Sequence, residues 1–82
     1  MKLEPEALER EIRRYLEDKL DIAGLGRDDE LISSGLVDSG NLVRLATHVE
    51  RLTGVTIPDR DIDADHFDSI AMIVRYVSSR QT

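Results

Sequence analysis

The spacing of the apolar residues is the feature that most constrains the fold of this chain. In the first segment, apolar residues lie at relative positions 0, 4, 7, 8 and 12, which places them on one face of a helix: Leu8, Ile12, Tyr15, Leu16 and Leu20. A similar helical spacing recurs in two later segments, and no segment alternates with the period of two that a half-buried strand requires. The sequence therefore predicts an all-α domain.

Residues that start and stop helices set the expected boundaries. Pro5 suits the first turn of a helix, where its missing N–H costs nothing, and Ser39 is the expected N-cap of the second helix. Gly54 supplies the left-handed position that ends that helix, and Asp68 or Ser69 is the expected cap of the last one. We predict a four-helix bundle of three longer helices and a short third helix, at about 4–19, 39–53, 59–65 and 68–79.

A long connection, about residues 21–38, separates the first two helices. A loop of this length in so small a domain needs apolar residues that hold it to the core. Four candidates lie in its second half: Leu31, Ile32, Leu36 and Val37. Residues 78–82 carry no such pattern, so we expect this end to fray.

Composition narrows the class of protein. With 82 residues, no cysteine and a formal net charge of −6, the sequence indicates one acidic domain over residues 1–82, without disulfides, zinc–thiolate sites or thiol catalysis. The acidity argues against nucleic acid as a partner, because phosphate binding needs clustered positive charge. No apolar run approaches the roughly 20 residues of a membrane span, and the first residues are charged, unlike a signal peptide. We expect a soluble, monomeric, cytoplasmic protein.

The segment that leads into the second helix, LISSGLVDS, ends in the pair Asp38-Ser39. Together with the exit segment LTGVTIPDRDI and the last segment HFDSIAMIVRYV, it resembles the acyl carrier protein and peptidyl carrier protein family over about residues 6–78. The resemblance implies a four-helix bundle of acyl-carrier-protein type, in which Ser39 carries covalent 4′-phosphopantetheine from coenzyme A. It also implies that Asp38 helps the phosphopantetheinyl transferase to recognise the site.

Electrostatics agrees with this placement of a phosphate. A phosphodiester on Ser39 would lie at a helix N-terminus, where free N–H groups and the positive end of the dipole favour an anion. The arm would also give a thiol to a chain without cysteine. The chain has no catalytic constellation of its own, so we expect a carrier rather than an enzyme. An adenylating enzyme or acyltransferase would load it, and downstream synthase enzymes would take its cargo.

Two features depart from the family. Gly40 follows the serine, where the family usually has an apolar residue that contacts the transferase. The second helix carries Arg44, His48 and Arg51 against the single acidic residue Glu50, whereas fatty-acid synthase partners usually dock on acidic residues of this helix. We therefore expect a stand-alone carrier in polyketide or nonribosomal peptide assembly, with partners docking at Gly40, Val43, Arg44 and His48. A fatty-acid-type carrier, an unmodified carrier-like interaction domain and an acidic helical adaptor of other ancestry are the alternatives.

Other polar side chains have competing interpretations. Asp68-Ser69-Ile70 matches the short motif better than Asp38-Ser39-Gly40, but only 13 residues follow Ser69, too few for the remaining helices, so we expect Ser69 to cap a helix. The alternating aspartates at 59, 61, 63 and 65 lack the glycine and glutamate positions of an EF-hand loop, so we expect capping or solvation and no bound metal. We interpret His48 as a surface or partner contact and His66 as a packing or capping residue.

Two apolar residues, Val43 and Met72, lie off the main apolar stripes. They belong either to the periphery of the core or, with Val55 and Ile57, to a shallow groove beside the arm. Such a groove would suit a short or polar acyl group better than a long chain.

Overall fold

The computed structural model describes residues 3–81 and confirms the all-α prediction, since these residues form helices and no strand. Met1, Lys2 and Thr82, which the predicted domain also includes, lie outside the described residues. The four α-helices and one 3-10 helix follow in chain order: α1 (Pro5–Leu20), α2 (Ser39–Thr53), the 3-10 helix (Asp59–Asp61), α3 (Ala64–Phe67) and α4 (Ile70–Ser78).

The predicted apolar faces of the helices meet in one core. On α1, Leu8, Ile12 and Leu16 have no exposed surface, and α1 packs against both α2 and α4. Each fully buried side chain of this kind contributes about 1.5–3 kcal/mol by leaving water. The larger helices supply most of the remaining core: Leu42, Leu45, Ala46, Val49, Ile70, Ile73, Val74, Tyr76 and Val77.

The prediction of a single short helix at residues 59–65 is wrong. The 3-10 helix ends at Asp61, and α3 begins only at Ala64, because Asp63 adopts extended backbone with φ −153° and ψ 177°. The Asp63 side chain accepts a hydrogen bond from the backbone N–H of His66, which caps α3. A short polar side chain that can cap a helix therefore separates the two elements.

The last helix is capped by Ser69, whose Oγ accepts from the N–H of Met72 at 3.1 Å. The expectation that residues 78–82 fray is wrong for Ser78, which is the last residue of α4, and for Gln81. Its side-chain amide exchanges two hydrogen bonds of 3.0 Å with the backbone of Leu3, which ties the two ends of the described chain together.

The long loop between α1 and α2 is held to the core by only some of its predicted residues. Leu31 and Val37 are buried and Ile32 is partly buried, but Leu36 is 50% exposed, which contradicts the prediction for this residue. The backbone N–H of Val37 donates to the carbonyl of Leu31, and Gly35 takes a left-handed φ of 83° between them. This turn directs Val37 inward and leaves Leu36 on the surface.

None of the helices within residues 3–81 is long and apolar enough to span a bilayer.

Candidate functional site

Asp38, rather than Ser39, is the N-cap of α2. Its side-chain Oδ1 accepts from the N–H of Asn41 at 2.8 Å, and its carbonyl accepts from the N–H of Leu42 at 2.9 Å. The prediction that Ser39 caps this helix is therefore wrong. The neighbouring carboxylate occupies the position that a serine cap would take, and Ser39 becomes the first residue of the helix.

The loss of the capping role leaves the Ser39 hydroxyl unused. Ser39 is exposed, and its Oγ makes no hydrogen bond with any other residue in the span 3–81. It lies at the N-terminus of a 15-residue helix, where the backbone dipoles favour a negative charge. An exposed, unbonded hydroxyl at this position fits a covalently attached phosphate group, because no internal contact has to break to accommodate it.

Gly40 is exposed, and the local structure does not require a glycine there. Its φ is not in the left-handed region, and a Cβ built on it would meet only Asp38 Oδ1, at the ordinary contact distance of 3.6 Å. A larger side chain would therefore project into solvent beside Ser39 without strain.

A carboxylate from the other end of the chain holds the loop that leads to the site. Asp68 accepts hydrogen bonds from the N–H of Ile32 (2.8 Å), from the N–H of Ser33 (2.9 Å) and from the Ser33 hydroxyl (2.6 Å). The Asp68 carbonyl also accepts from the N–H of Leu31. Together these bonds fix the start of the segment that ends at Asp38. The sequence does not indicate this contact, because Asp68 lies directly before the last helix and is expected there only as a cap.

The hydrogen bond from the Ser33 hydroxyl, followed by the bond from the Ser33 N–H, lowers the pKa of Asp68 below its ordinary value. A lowered folded-state pKa stabilises the protein above the unfolded-state pKa, and this stabilisation is lost as the pH falls through the folded-state value. We therefore expect Asp68→Asn to unfold more easily at pH 7, by about 1–2 kcal/mol, and to lose less stability than the wild type on acidification. Urea denaturation at pH 7, 5, 4 and 3 measures both quantities.

Asp28→Asn is the matched control for this prediction. Asp28 lies exposed in the same loop, so its substitution should leave the stability at pH 7 close to that of the wild type. If Asp68→Asn followed the wild-type curve at every pH, the bonds of Asp68 would not be holding the loop.

The structure places the predicted docking residues along one side of α2. Val43 is 48% exposed and Arg44 is exposed, while His48 is partly buried and stacks on Tyr15 of α1 with ring centres 4.7 Å apart. Within residues 3–81, Leu36 is the other large apolar residue that is strongly exposed, and it lies three positions before Ser39. Nothing in the sequence singles out Leu36, because other apolar residues of its loop, such as Leu31 and Val37, are buried.

The shallow groove that was one of the two interpretations of Val43 and Met72, bordered by Val55 and Ile57, does not form. Val55 and Ile57 are buried in the core, and Val43 lies instead in a groove between α1 and α2. Met72 lines a separate cavity of about 250 Å³ against α4, beside His66 and Tyr76.

The acidic residue of α2 is turned toward the protein. Glu50 Oε2 accepts from the backbone N–H of Ile57 at 2.7 Å, so its carboxylate anchors the extended segment that follows α2. The cationic side chains Arg44 and Arg51 remain exposed. The surface of α2 is therefore more basic than the count of its charges indicates.

The hydroxyl of Ser69, the serine of the second aspartate–serine pair, already accepts a hydrogen bond from the N–H of Met72. Ser69 is only 5% exposed and caps α4, as expected from the sequence. A phosphate on its Oγ would break this cap and would require space within a buried position. Of the two aspartate–serine pairs, only the one at the start of α2 presents an accessible hydroxyl.

Two of the four aspartates considered for calcium, Asp61 and Asp63, bind protein groups. The Tyr76 hydroxyl donates to Asp61 at 2.5 Å, and this bond lowers the pKa of Asp61. Asp63 caps α3 and also contacts His66 Nδ1 at 2.8 Å, and this bond raises the pKa of His66. The interpretation of His66 as a packing or capping residue agrees with these contacts and with its edge-on approach to Tyr76.

A protein-family model described as a phosphopantetheine attachment site matches residues 10–77, which include all of α2 and the loop before it. No curated protein matches the chain. The matched residues begin within α1 and end within α4, so they include parts of these two helices and everything between them, with the exposed Ser39 hydroxyl.

Proposed function

Because the chain belongs to the phosphopantetheine attachment family, we propose that Ser39 is the attachment residue and that the protein carries an acyl or aminoacyl group as a thioester. The cofactor of this family is covalent 4′-phosphopantetheine, which supplies a thiol at the end of a flexible arm. The observation that carries the assignment is the unused, exposed hydroxyl of Ser39 at the first position of α2. The chain itself presents the cargo, and the reactions on that cargo belong to its partners.

In attachment, the Ser39 Oγ forms a bond to the phosphorus next to pantetheine, and the phosphoanhydride bond of coenzyme A breaks. The hydroxyl proton passes to a base of the transferase, and adenosine 3′,5′-bisphosphate leaves. The N-terminus of α2 stabilises the phosphodiester that remains on the serine. Asp38 has two roles in this proposal: it caps α2 and so fixes the position of Ser39, and its exposed carboxylate contacts the transferase.

Partners approach the arm from the side of α2 on which Val43 and Arg44 are exposed. Leu36 and Val43 supply apolar contacts on either side of Ser39 in the sequence, while Gly40 supplies none. Arg44 adds positive charge to the same surface, and the ring of His48 lies beside it. The partners are a phosphopantetheinyl transferase, an adenylating enzyme or acyltransferase that loads the arm, and the synthase enzymes that accept the cargo.

The basic surface of α2 favours polyketide or nonribosomal peptide assembly over bulk fatty-acid synthesis. Fatty-acid partners dock on acidic residues of this helix, and here Glu50 is bonded to Ile57 while Arg44 and Arg51 face solvent. Opposite charge on a docking surface selects different partners, because juxtaposed like charges cost several kcal/mol.

The experiment that tests the proposed function is incubation of the purified protein with coenzyme A, magnesium and a broad-specificity phosphopantetheinyl transferase, followed by intact mass spectrometry. We expect the mass to rise by one phosphopantetheine group. The alternative function, an unmodified interaction domain, is favoured by Gly40, which removes an apolar transferase contact. A folded protein that gains no mass with several transferases would support that alternative.

Replacement of Gly40 by leucine is expected to accelerate modification. The added side chain meets no close neighbour and would give the transferase an apolar contact beside Ser39. One new contact worth about 1 kcal/mol would raise the rate roughly fivefold. Initial rates of holo-protein formation measure this effect, and Gly40→Ser, which adds a Cβ without an apolar surface, is the control. If Gly40→Leu were no faster than Gly40→Ser, the glycine would not be what limits the transferase.

A further inference from the structure

The arm on Ser39 would lie beside a groove that combines an apolar wall with positively charged side chains. The groove runs between α1 and α2 and has a volume of about 380 Å³, which is within the size range of small-molecule sites. Its apolar part is formed by Val43 and by the ring of Tyr15, which is stacked on His48. A space of this size suits a short acyl group.

The charges around this groove are all positive. Lys19, Arg44 and Arg51 line it, and no carboxylate does. Within residues 3–81, none of these three cations forms an ion pair with a carboxylate. Such a concentration of unpaired cations is unexpected in a chain with a net charge of −6.

The nearby carboxylates do not line the groove. Glu11 and Asp18 line a smaller neighbouring depression that shares Tyr15, Lys19 and His48 with the groove, and Glu11 pairs with Arg14 at 3.7 Å. Glu50 is engaged with the backbone of Ile57. The groove therefore contains cations that lack internal counter-ions.

Helix geometry connects the groove to Ser39. Residues four positions apart lie on one ridge of a helix, and a single ridge of α2 contains Ser39, Val43, Thr47 and Arg51. The distance from residue 39 to residue 51 along the axis is about 18 Å at 1.5 Å per residue. An arm that starts at Ser39 and follows this ridge can deliver its terminal group to the groove.

We propose that this groove, which we call the basic groove, binds the terminal carboxylate of a short dicarboxylic acyl cargo; the inference rests on the proposed attachment at Ser39. The guanidinium groups of Arg44 and Arg51 can each donate paired hydrogen bonds to a carboxylate. The methylene stem of the cargo packs on Val43 and Tyr15. Tethering raises the effective concentration of the cargo to the millimolar range, so a weak site is sufficient to hold it.

Partners contact the exposed side of α2, but the concave space between α1 and α2 suits a cargo better than it suits an acidic partner protein. A partner surface needs exposed cations but no concave space, whereas here the cations surround a groove with an apolar wall. A dicarboxylic acyl group needs both features, because its stem is apolar and its end is charged.

The test uses two cargos that differ only at the end. The transferase loads the wild-type protein from succinyl-coenzyme A and, separately, from butyryl-coenzyme A, in which a methyl group replaces the carboxylate. Intact mass first verifies loading, and this step tests the proposed function independently of the groove. We expect the amide NMR signals of residues 43–51 and of Lys19 to shift in the succinyl form relative to the butyryl form, and the shifts to disappear in high salt.

Variants identify the cations responsible. In R44Q/R51Q the succinyl and butyryl forms should give the same signals for residues 43–51, whereas the control Arg60→Gln, an exposed arginine outside the groove, should retain the difference. Identical spectra for the two wild-type forms would overturn the proposal. It would also be overturned if the groove signals moved only when an acidic partner enzyme was added, since the groove would then be a protein-docking surface. Failure to gain mass at all would instead refute the attachment at Ser39.

Discussion

Alanine at position 39 should abolish the gain in mass with coenzyme A and a transferase, whereas alanine at position 69 should leave it intact. Ser39 is exposed and has an unbonded hydroxyl, and Ser69 is buried with its hydroxyl bonded to the N–H of Met72. Alanine provides no oxygen for the phosphodiester, so we expect a complete loss in Ser39→Ala rather than a reduced rate. Intact mass spectrometry of both variants after a long incubation makes the comparison.

The two substitutions should affect stability in the opposite order: Ser39→Ala should cost less than Ser69→Ala. Ser39→Ala should change the free energy of unfolding by less than about 0.5 kcal/mol, because it removes no contact at an exposed site. Ser69→Ala removes the cap of α4 and should cost about 1 kcal/mol. A modified Ser39→Ala protein, or a folded Ser69→Ala protein that gains no mass, would show that the attachment residue has been assigned to the wrong aspartate–serine pair.

Alanine at Phe67 should destabilise the protein more than any surface change discussed above. Phe67 has no exposed surface, and its ring lies 5.2 Å from that of Tyr76 on α4. A helix of four residues such as α3 is too short to be stable by itself, so this side chain holds it to the bundle. Removal of a buried phenylalanine costs about 3–5 kcal/mol, which is a large part of the roughly 5–15 kcal/mol of a typical domain.

Urea denaturation and thermal melting measure this loss, with Phe67→Leu as the matched control. Leucine retains most of the apolar volume, so its cost should be clearly smaller than that of alanine. Equal and small effects of the two substitutions, below about 1 kcal/mol, would contradict the role of Phe67 in anchoring α3.

The periodic positions of the apolar residues were sufficient to predict the three longer helices. Leu8, Ile12 and Leu16 are buried because one face of α1 must leave water, and this requirement is visible in the sequence alone. The short third helix was predicted incorrectly, since four residues contain too little periodicity to locate α3. Its start depends on the capping bond of Asp63, which a row of alternating aspartates does not single out.

The candidate site was predicted in part. The position of Ser39 at the start of α2 and the family followed from the motif and its spacing, and the family match supports the latter. The cap was assigned to the wrong residue, because both Asp38 and Ser39 are good N-caps and only the backbone geometry decides between them.

The sequence by itself therefore determined the helical class, the approximate positions of the longer helices and the family of this protein, because these depend on residues that are close along the chain. Tertiary structure alone decided which polar groups are bonded and which are free. Asp68 meets Ser33 from 35 positions away, Glu50 turns toward Ile57, and Lys19 of α1 joins the arginines of α2 at one groove. Such contacts arise when elements that are distant in the sequence pack together, so the spacing of neighbouring residues does not predict them.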